Sequence, residues 1–204
     1  MNPTGADALA THFDDLFRLE ADPWRTRTRW YEVRKRALML ASLPQERYER
    51  AFEPGCGAGV TTAALARRCA SVVASDASGA AVRQARARLA GAANVRIDQA
   101  RMPRDWPAGR FDLVVISELG YYLAGDDLRR LGEACRASLA AGGTLVACHW
   151  RRVEPDMLQR AQDVHAELHQ RTGLWAASHY QDDDFLLDVW TTDARSVAQR
   201  EGLA

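Results

Sequence analysis

The pattern of apolar and polar positions between Tyr48 and Trp150 alternates between two periods. "RYERAFEP", "SVVASD", "NVRIDQA", "RFDLVVISE" and "TLVACHW" are short runs of strand character. Segments of helical period separate most of them. A helical run extends to about Cys69, and "ASGAAVRQARARLAG" reads as a helix ended by Gly91. In "DDLRRLGEACRASLAAGG", Leu128, Leu131, Ala134, Cys135 and Leu139 recur about one turn apart, and the pair Gly142-Gly143 is expected to stop the helix. "MPRDWPAG", with its two prolines and a glycine, is a turn-rich connection. Strands joined through single helices predict a parallel sheet covered on both faces, with right-handed crossovers.

The two ends of the chain read differently. "DMLQRAQDVHAELHQRTG" is helical, and "LWAASHYQD" and "DFLLDVWTT" are strand-like with "QDDD" between them. No crossover helix fits there, so an antiparallel hairpin at the sheet edge is expected, with "QDDD" as a solvated turn. Residues 1–47 predict two helices with "ADPWRTRTRW" between them. They are too short, and too apolar at Trp24, Trp30, Tyr31, Leu38, Met39 and Leu40, to stand alone. The organisation expected is a helical cover over 1–47 and one α/β domain over 48–195, a three-layer sandwich around a seven-stranded, mostly parallel sheet.

Composition narrows the functional classes. The chain has 204 residues, 47 % of them hydrophobic, which supports one sizeable core. Lys+Arg and Asp+Glu are both 27, so the basic excess of a general nucleic-acid binder is missing. Lys35 is the only lysine, which reads as coding bias toward arginine. Cys56, Cys69, Cys135 and Cys148 form no CxxC pair, and no secretory or bilayer-length apolar segment stands out. Free thiols in a reducing cytoplasm are expected, with no membrane partner and no metal. His165 and His169 lie four apart, but "HAELH" is not the zinc-binding register, and both are expected at or near the surface.

The candidate chemistry begins at "FEPGCGAG". Gly55, Gly57 and Gly59 follow a strand and open a helix, where a tight turn and close ligand approach require glycine. Helix-terminal N–H groups lie beside them. A dinucleotide fingerprint needs glycine where Val60 stands, and no GK[ST] follows. Glu53 would repel a pyrophosphate but suits an ammonium group. Asp76, 21 residues after Gly55, can accept from both ribose hydroxyls, a role shared with NAD-binding domains. A ligand with a nucleoside at one end and an amino acid at the other satisfies both carboxylates. That ligand is S-adenosylmethionine (SAM), leaving as S-adenosylhomocysteine.

With "VVASDAS", "FDLVVISELGYYL" and "GGTLVACHW" following in order, the chain resembles the Rossmann-like class I SAM-dependent methyltransferases. "DPW", "WYE.RK", "SE.GYYL" and "HW" make it similar, more narrowly, to the NodS-like branch, related to the nodulation methyltransferase that N-methylates a deacetylated chitooligosaccharide. The resemblance covers about residues 20–192. It implies that Glu53 and the backbone of Gly55, Cys56, Gly57 and Gly59 face the methionine part of the cofactor. It implies that Asp76, with Ala77 and Ser78, takes the ribose, and that Gln99, Ala100, Arg101 and Met102 seat the adenine. Asp98 falls one or two positions before the place where many relatives carry an adenine-binding Asp.

On the acceptor side, Glu118 and His149 end the fourth and fifth strands, where ligands bind in a doubly wound sheet. An amine must be neutral to accept a methyl group. A carboxylate or imidazole there can orient it and take its proton, although alignment of the reacting atoms supplies much of the rate. Trp24, Trp30, Tyr31, Arg34, Tyr121 and Tyr122 are candidates for a lid or for acceptor contact. The expected activity is N-methylation of an amino-sugar or glycan-like small acceptor by a monomer or weak dimer. O-methylation of a sugar or metabolite, and a catalytically silent SAM-binding partner, are the alternatives. Glu53 and Val60 speak against an NAD(P)-linked oxidoreductase.

Overall fold

A computed structural model of the chain describes residues 5–203. Seven strands form one sheet: β1 (Tyr48–Pro54), β2 (Cys69–Asp76), β3 (Val95–Gln99), β4 (Phe111–Ser117), β5 (Leu139–Trp150), β6 (Trp175–Gln181) and β7 (Phe185–Thr191). Consecutive strand residues point to opposite faces. Ala51 and Phe52, Leu113 and Val114, and Val115 and Ile116 are all fully buried, so both faces of the central strands are covered. Truncating Ile116 to Ala at that depth costs roughly 2–5 kcal/mol.

The sheet order is β3-β2-β1-β4-β5-β7-β6. β1 to β5 are mutually parallel, and β7 lies antiparallel between β5 and β6. The chain order reverses at β1, so the carboxyl ends of β1 and β4 flank the switch-point crevice. This is the three-layer α/β architecture with a C-terminal hairpin that the periodicity predicts. β7 is the inner hairpin strand and nearly all of it is buried, while β6 forms the exposed sheet edge.

The helices are α1 (Gly5–Leu19), α2 (Trp30–Ser42), α3 (Val60–Leu65), α4 (Gly79–Arg88), α5 (Gly125–Ser138), α6 (Ala161–Thr172) and α7 (Val197–Arg200). α5 and α6 cover one face of the sheet through Leu128, Leu131, Val164 and Leu168. α2 and α3 cover the other through Met39, Leu43 and Leu65. α1 packs Phe17 against Ala58, Ala80 and Ala81, beside the glycine hinge. Residues 1–4 of the expected cover lie outside the described residues.

Three boundaries differ from expectation: α3 ends at Leu65 rather than near Cys69, where β2 begins, α6 starts at Ala161 rather than near Asp156, and the end of α5 moves. α5 stops at Ser138, and Gly142-Gly143 lies within β5 rather than ending the helix. Leu139, expected on the helical stripe, begins the strand and pairs with Phe111 before the register shifts to Leu113–Thr144. The inserted residues form a bulge in which Gly142 adopts φ +74°. A glycine pair serves a bulge as readily as a helix end, because both need the left-handed region.

Candidate active site

The hinge after β1 turns through three left-handed glycines, Gly55, Gly57 and Gly59, at φ +72°, +52° and +74°. Asp76 Oδ2 accepts from the Gly57 N–H at 2.9 Å, and its Oδ1 accepts from the Ser78 N–H at 2.9 Å. Each carboxylate oxygen has a second acceptor position, so the half-buried Asp76 keeps capacity for a diol. Burial holds its carboxyl above the ordinary aspartate range, against the opposing backbone N–H groups. Glu53 is 3 % exposed, and among the described residues its one hydrogen-bond donor is Thr62 Oγ1, on Oε2 at 2.6 Å. Burial pushes the Glu53 carboxyl up to about 7. A buried carboxylate short of donors beside a glycine cradle, with a second carboxylate 23 positions on, fits an amino-acid ammonium and a ribose.

The other expected cofactor residues gather along the same edge. The Cys56 N–H donates to the Ser75 carbonyl, while burial pushes the Cys56 thiol well up and leaves it unreactive. Ser78 caps α4, and Gln99 donates to the Ala77 carbonyl. The Ala100 N–H donates to the Asp76 carbonyl, the Arg101 N–H to Asp105, and Met102 packs against the main core. Asp98 turns away to pair with Arg96 at 2.9 Å.

The N-terminal helices reach both banks of the crevice. Asp14 Oδ1 accepts from Ser78 Oγ and from the Ala80 N–H, each at 2.8 Å, which holds its carboxyl below the usual range. Phe13 meets the Tyr122 ring edge-on at 4.9 Å, and Trp24 packs on Phe13 and Phe17. A Cβ at Gly57 would lie 3.3 Å from the Phe17 ring. Arg34 ties α2 to the hairpin through Asp182 at 2.7 Å and through the Tyr180 hydroxyl, so "QDDD" is an anchor as well as a turn. Trp30, by contrast, is 74 % exposed and sits apart from this group.

Glu118, the residue after β4, has φ +53°, an unusual conformation for a residue with a long side chain. Its Oε1 accepts from Lys35 Nζ at 2.7 Å. Its Oε2 accepts from the Trp150 N–H at 3.2 Å and from the Tyr121 hydroxyl. Lys35 is also paired with Glu32 at 3.1 Å and lies 4.9 Å from the centre of the Tyr31 ring. Burial alone would pull Lys35 down, but the two carboxylates outweigh it and hold the ammonium above the ordinary lysine range. Burial pushes Glu32 and Tyr31 up, and the Tyr31 hydroxyl is buried without a hydrogen-bond partner among the described residues. Next along the chain, Leu119 packs against Gly55, which brings this cluster beside the hinge.

His149, the second expected catalytic candidate, lies in a buried chain of side chains. It is fully buried, its Nε2 accepts from the Gly120 N–H at 3.1 Å, and its Nδ1 lies 2.9 Å from His165 Nε2. Burial, with the neighbouring His165 and Lys35, holds it well below the ordinary histidine range. Both ring nitrogens are committed, so His149 has no free lone pair with which to take an acceptor's proton. His165, expected near the surface, is buried in the same chain, while His169 is exposed and stacks on Trp190.

Lys35 and Glu32 are the site residues missed from sequence. The signal was present, since Lys35 is the only lysine among 27 basic residues and stands in "WYEVRK". Its 83-residue separation from Glu118 concealed the partner.

A methyltransferase-domain family model matches residues 51–143. A crystal structure of an assigned methyltransferase from Pseudomonas syringae is 50 % identical, with TM-score 0.72, covering 80 % of this chain and 99 % of that one. Nodulation protein S of Rhizobium tropici is 33 % identical over 147 residues, 69 % of this chain and 61 % of the relative's own length. The chain thus matches less than two thirds of that relative. The N-methyltransferase NodS of Bradyrhizobium japonicum, solved with S-adenosylhomocysteine, shares the fold at TM-score 0.81 and 24 % identity, over 89 % of this chain and 97 % of that one.

Proposed function

The chain belongs to the class I SAM-dependent methyltransferases, and from that premise we propose that it methylates the nitrogen of an amino sugar or a glycan-like small amine. The observation that carries this reading is Glu118, a carboxylate fixed after β4 by Lys35, Tyr121 and Trp150 beside the glycine hinge. An amine nitrogen becomes cationic as it takes a methyl group, and a fixed carboxylate oxygen facing it stabilises that charge in a water-poor site. Tyr121 and Trp150 fill Glu118 Oε2, whereas Lys35 leaves Oε1 a second acceptor position that can receive an N–H of the acceptor. Glu118 in this reading orients the acceptor rather than deprotonating it.

Glu53 and the hinge backbone hold the amino-acid end of the cofactor, Asp76 with Ala77 and Ser78 the ribose, and Gln99 to Met102 the adenine. When bound, SAM supplies a methyl carbon already activated by its sulfonium. Residues 1–47 act as the cover of the site, with 48–195 as the cofactor domain. Phe17 excludes water above the hinge, and Tyr31 and Tyr122 flank the acceptor side.

The test is incubation of the purified chain with methyl-labelled SAM and either a deacetylated chitooligosaccharide, D-glucosamine or glucose. Label on the amino sugars alone supports the reading. Label on glucose makes it an O-methyltransferase. SAM binding without transfer to any broad amine or hydroxyl panel makes it a silent partner.

A further inference from the structure

We infer that His149, His165 and Asp188 form a positioning relay, which fixes the Gly120–Tyr122 turn and through it the acceptor side of the site. The turn is a single 3-10 turn, separated from Glu118 by Leu119 alone. A backbone N–H only donates, so the Gly120 contact at 3.1 Å requires a lone pair on His149 Nε2. Neutral His149 then carries its proton on Nδ1 and donates to His165 Nε2 at 2.9 Å. The remaining proton of neutral His165 sits on Nδ1, facing Asp188 Oδ2 at 2.6 Å. Asp188 Oδ1 receives the exposed His179 Nδ1 at 2.7 Å. A donor at one end and a carboxylate at the other thus determine both buried tautomers. Among the described residues no three such side chains converge on a metal position.

The relay has a defined output. The Tyr121 ring stands edge-on to His149 at 5.2 Å, and its hydroxyl donates to Glu118. The Tyr121 carbonyl accepts from the N–H groups of Leu158 and Gln159 at 2.7 and 3.1 Å. A Cβ at Gly120 would collide with Val164 on α6. The turn is therefore seated on α6, while the relay ties its first N–H to β5, α6 and β7. His149 and His165 act through Tyr121 on Glu118 and do not themselves meet the acceptor. The kinetic consequence rests on the amine-acceptor reading, whereas the structural consequence does not.

Amide hydrogen exchange and kinetics test the relay together. His165→Leu keeps apolar bulk but neither accepts nor donates, whereas His165→Gln offers a carbonyl to His149 and an amide N–H to Asp188. Leu should speed exchange at Gly120 roughly tenfold, and Gln should recover most of it, with exchange at Gly57 unchanged in both. Asp188→Ala should reproduce the Leu result, and serves if the Leu variant does not fold. The KM for D-glucosamine should rise with Leu and recover with Gln, while the KM for SAM stays constant. Unchanged Gly120 exchange, parallel acceleration at Gly57, or a Gln variant no better than Leu would overturn the relay. If the wild-type chain methylates neither D-glucosamine nor the deacetylated chitooligosaccharide, the acceptor reading fails and the exchange result alone decides the relay.

Discussion

The two banks of the crevice are built by different means. On the cofactor bank the critical contacts are local: Glu53 meets Thr62 nine residues on, and Gly57 meets Asp76 across 19. Much of the binding surface there is backbone, shaped by left-handed glycines and a helix start. On the acceptor bank the contacts are distant. Lys35 meets Glu118 across 83 residues, and Arg34 meets Asp182 across 148. That surface is made of charged and aromatic side chains from α2, β4, β5 and the hairpin. The first bank suits a ligand common to a whole fold class. The second changes with any reorientation of the N-terminal helices, and on the proposed reading it would set acceptor preference.

The largest expected effect breaks the cofactor bank alone. Gly57→Val forces a branched side chain into φ +52° and toward Phe17, a strain of about 1–3 kcal/mol before any clash with ligand. Calorimetry should show SAM affinity lowered by at least about a hundredfold in a folded protein. Normal binding would place the cofactor elsewhere.

Next in size is a change confined to the acceptor bank. Glu118→Gln should leave the SAM dissociation constant nearly intact and lower turnover by roughly 10²–10³-fold, the scale for losing one oriented electrostatic group. Because Glu118 is not assigned as a base, the deficit should persist as pH rises. Recovery of rate at high pH would restore the general-base role. Lys35→Met should also depress turnover, and the double variant should lose less than the sum of the two, since the charges form one unit.

A smaller effect tests Glu53 through pH. With its carboxyl pushed up to about 7 by burial, the ligand-free chain takes up a proton there as pH falls through that value. An ammonium ligand needs the ionised form. SAM affinity should therefore fall about tenfold per pH unit below 7, level off above it, and lose this dependence in Glu53→Gln. The same raised pKa makes the protonated side chain the better-folded form: its stabilising contribution is fully present below the unfolded glutamate pKa and declines as pH rises through 7. A pH-independent affinity in the wild-type chain would remove Glu53 from the ammonium site.

The smallest effect is expected at Trp30, which is 74 % exposed and apart from the aromatic group around Tyr122. Trp30→Ala should shift stability by no more than about 0.5 kcal/mol, and KM for the acceptor by less than about twofold. A large rise in acceptor KM, measured on D-glucosamine, would show that α2 moves this ring into the site during turnover.

Sequence by itself determined the order and type of the strands, because alternation and β-rich runs follow from local geometry and from burial on two faces. It also determined the glycine hinge and the carboxylates at 53 and 76, since each position is defined by its offset from a strand end. It could not decide whether Gly142-Gly143 ends a helix or bulges a strand, as both environments require the same left-handed backbone. Nor could it pair Lys35 with Glu118, or distinguish a catalytic imidazole at His149 from one held at both nitrogens. Those outcomes depend on which distant side chains arrive at the same place, and on how far burial there alters their charge. Only the folded arrangement of α2, β4, β5, α6 and β7 decides them.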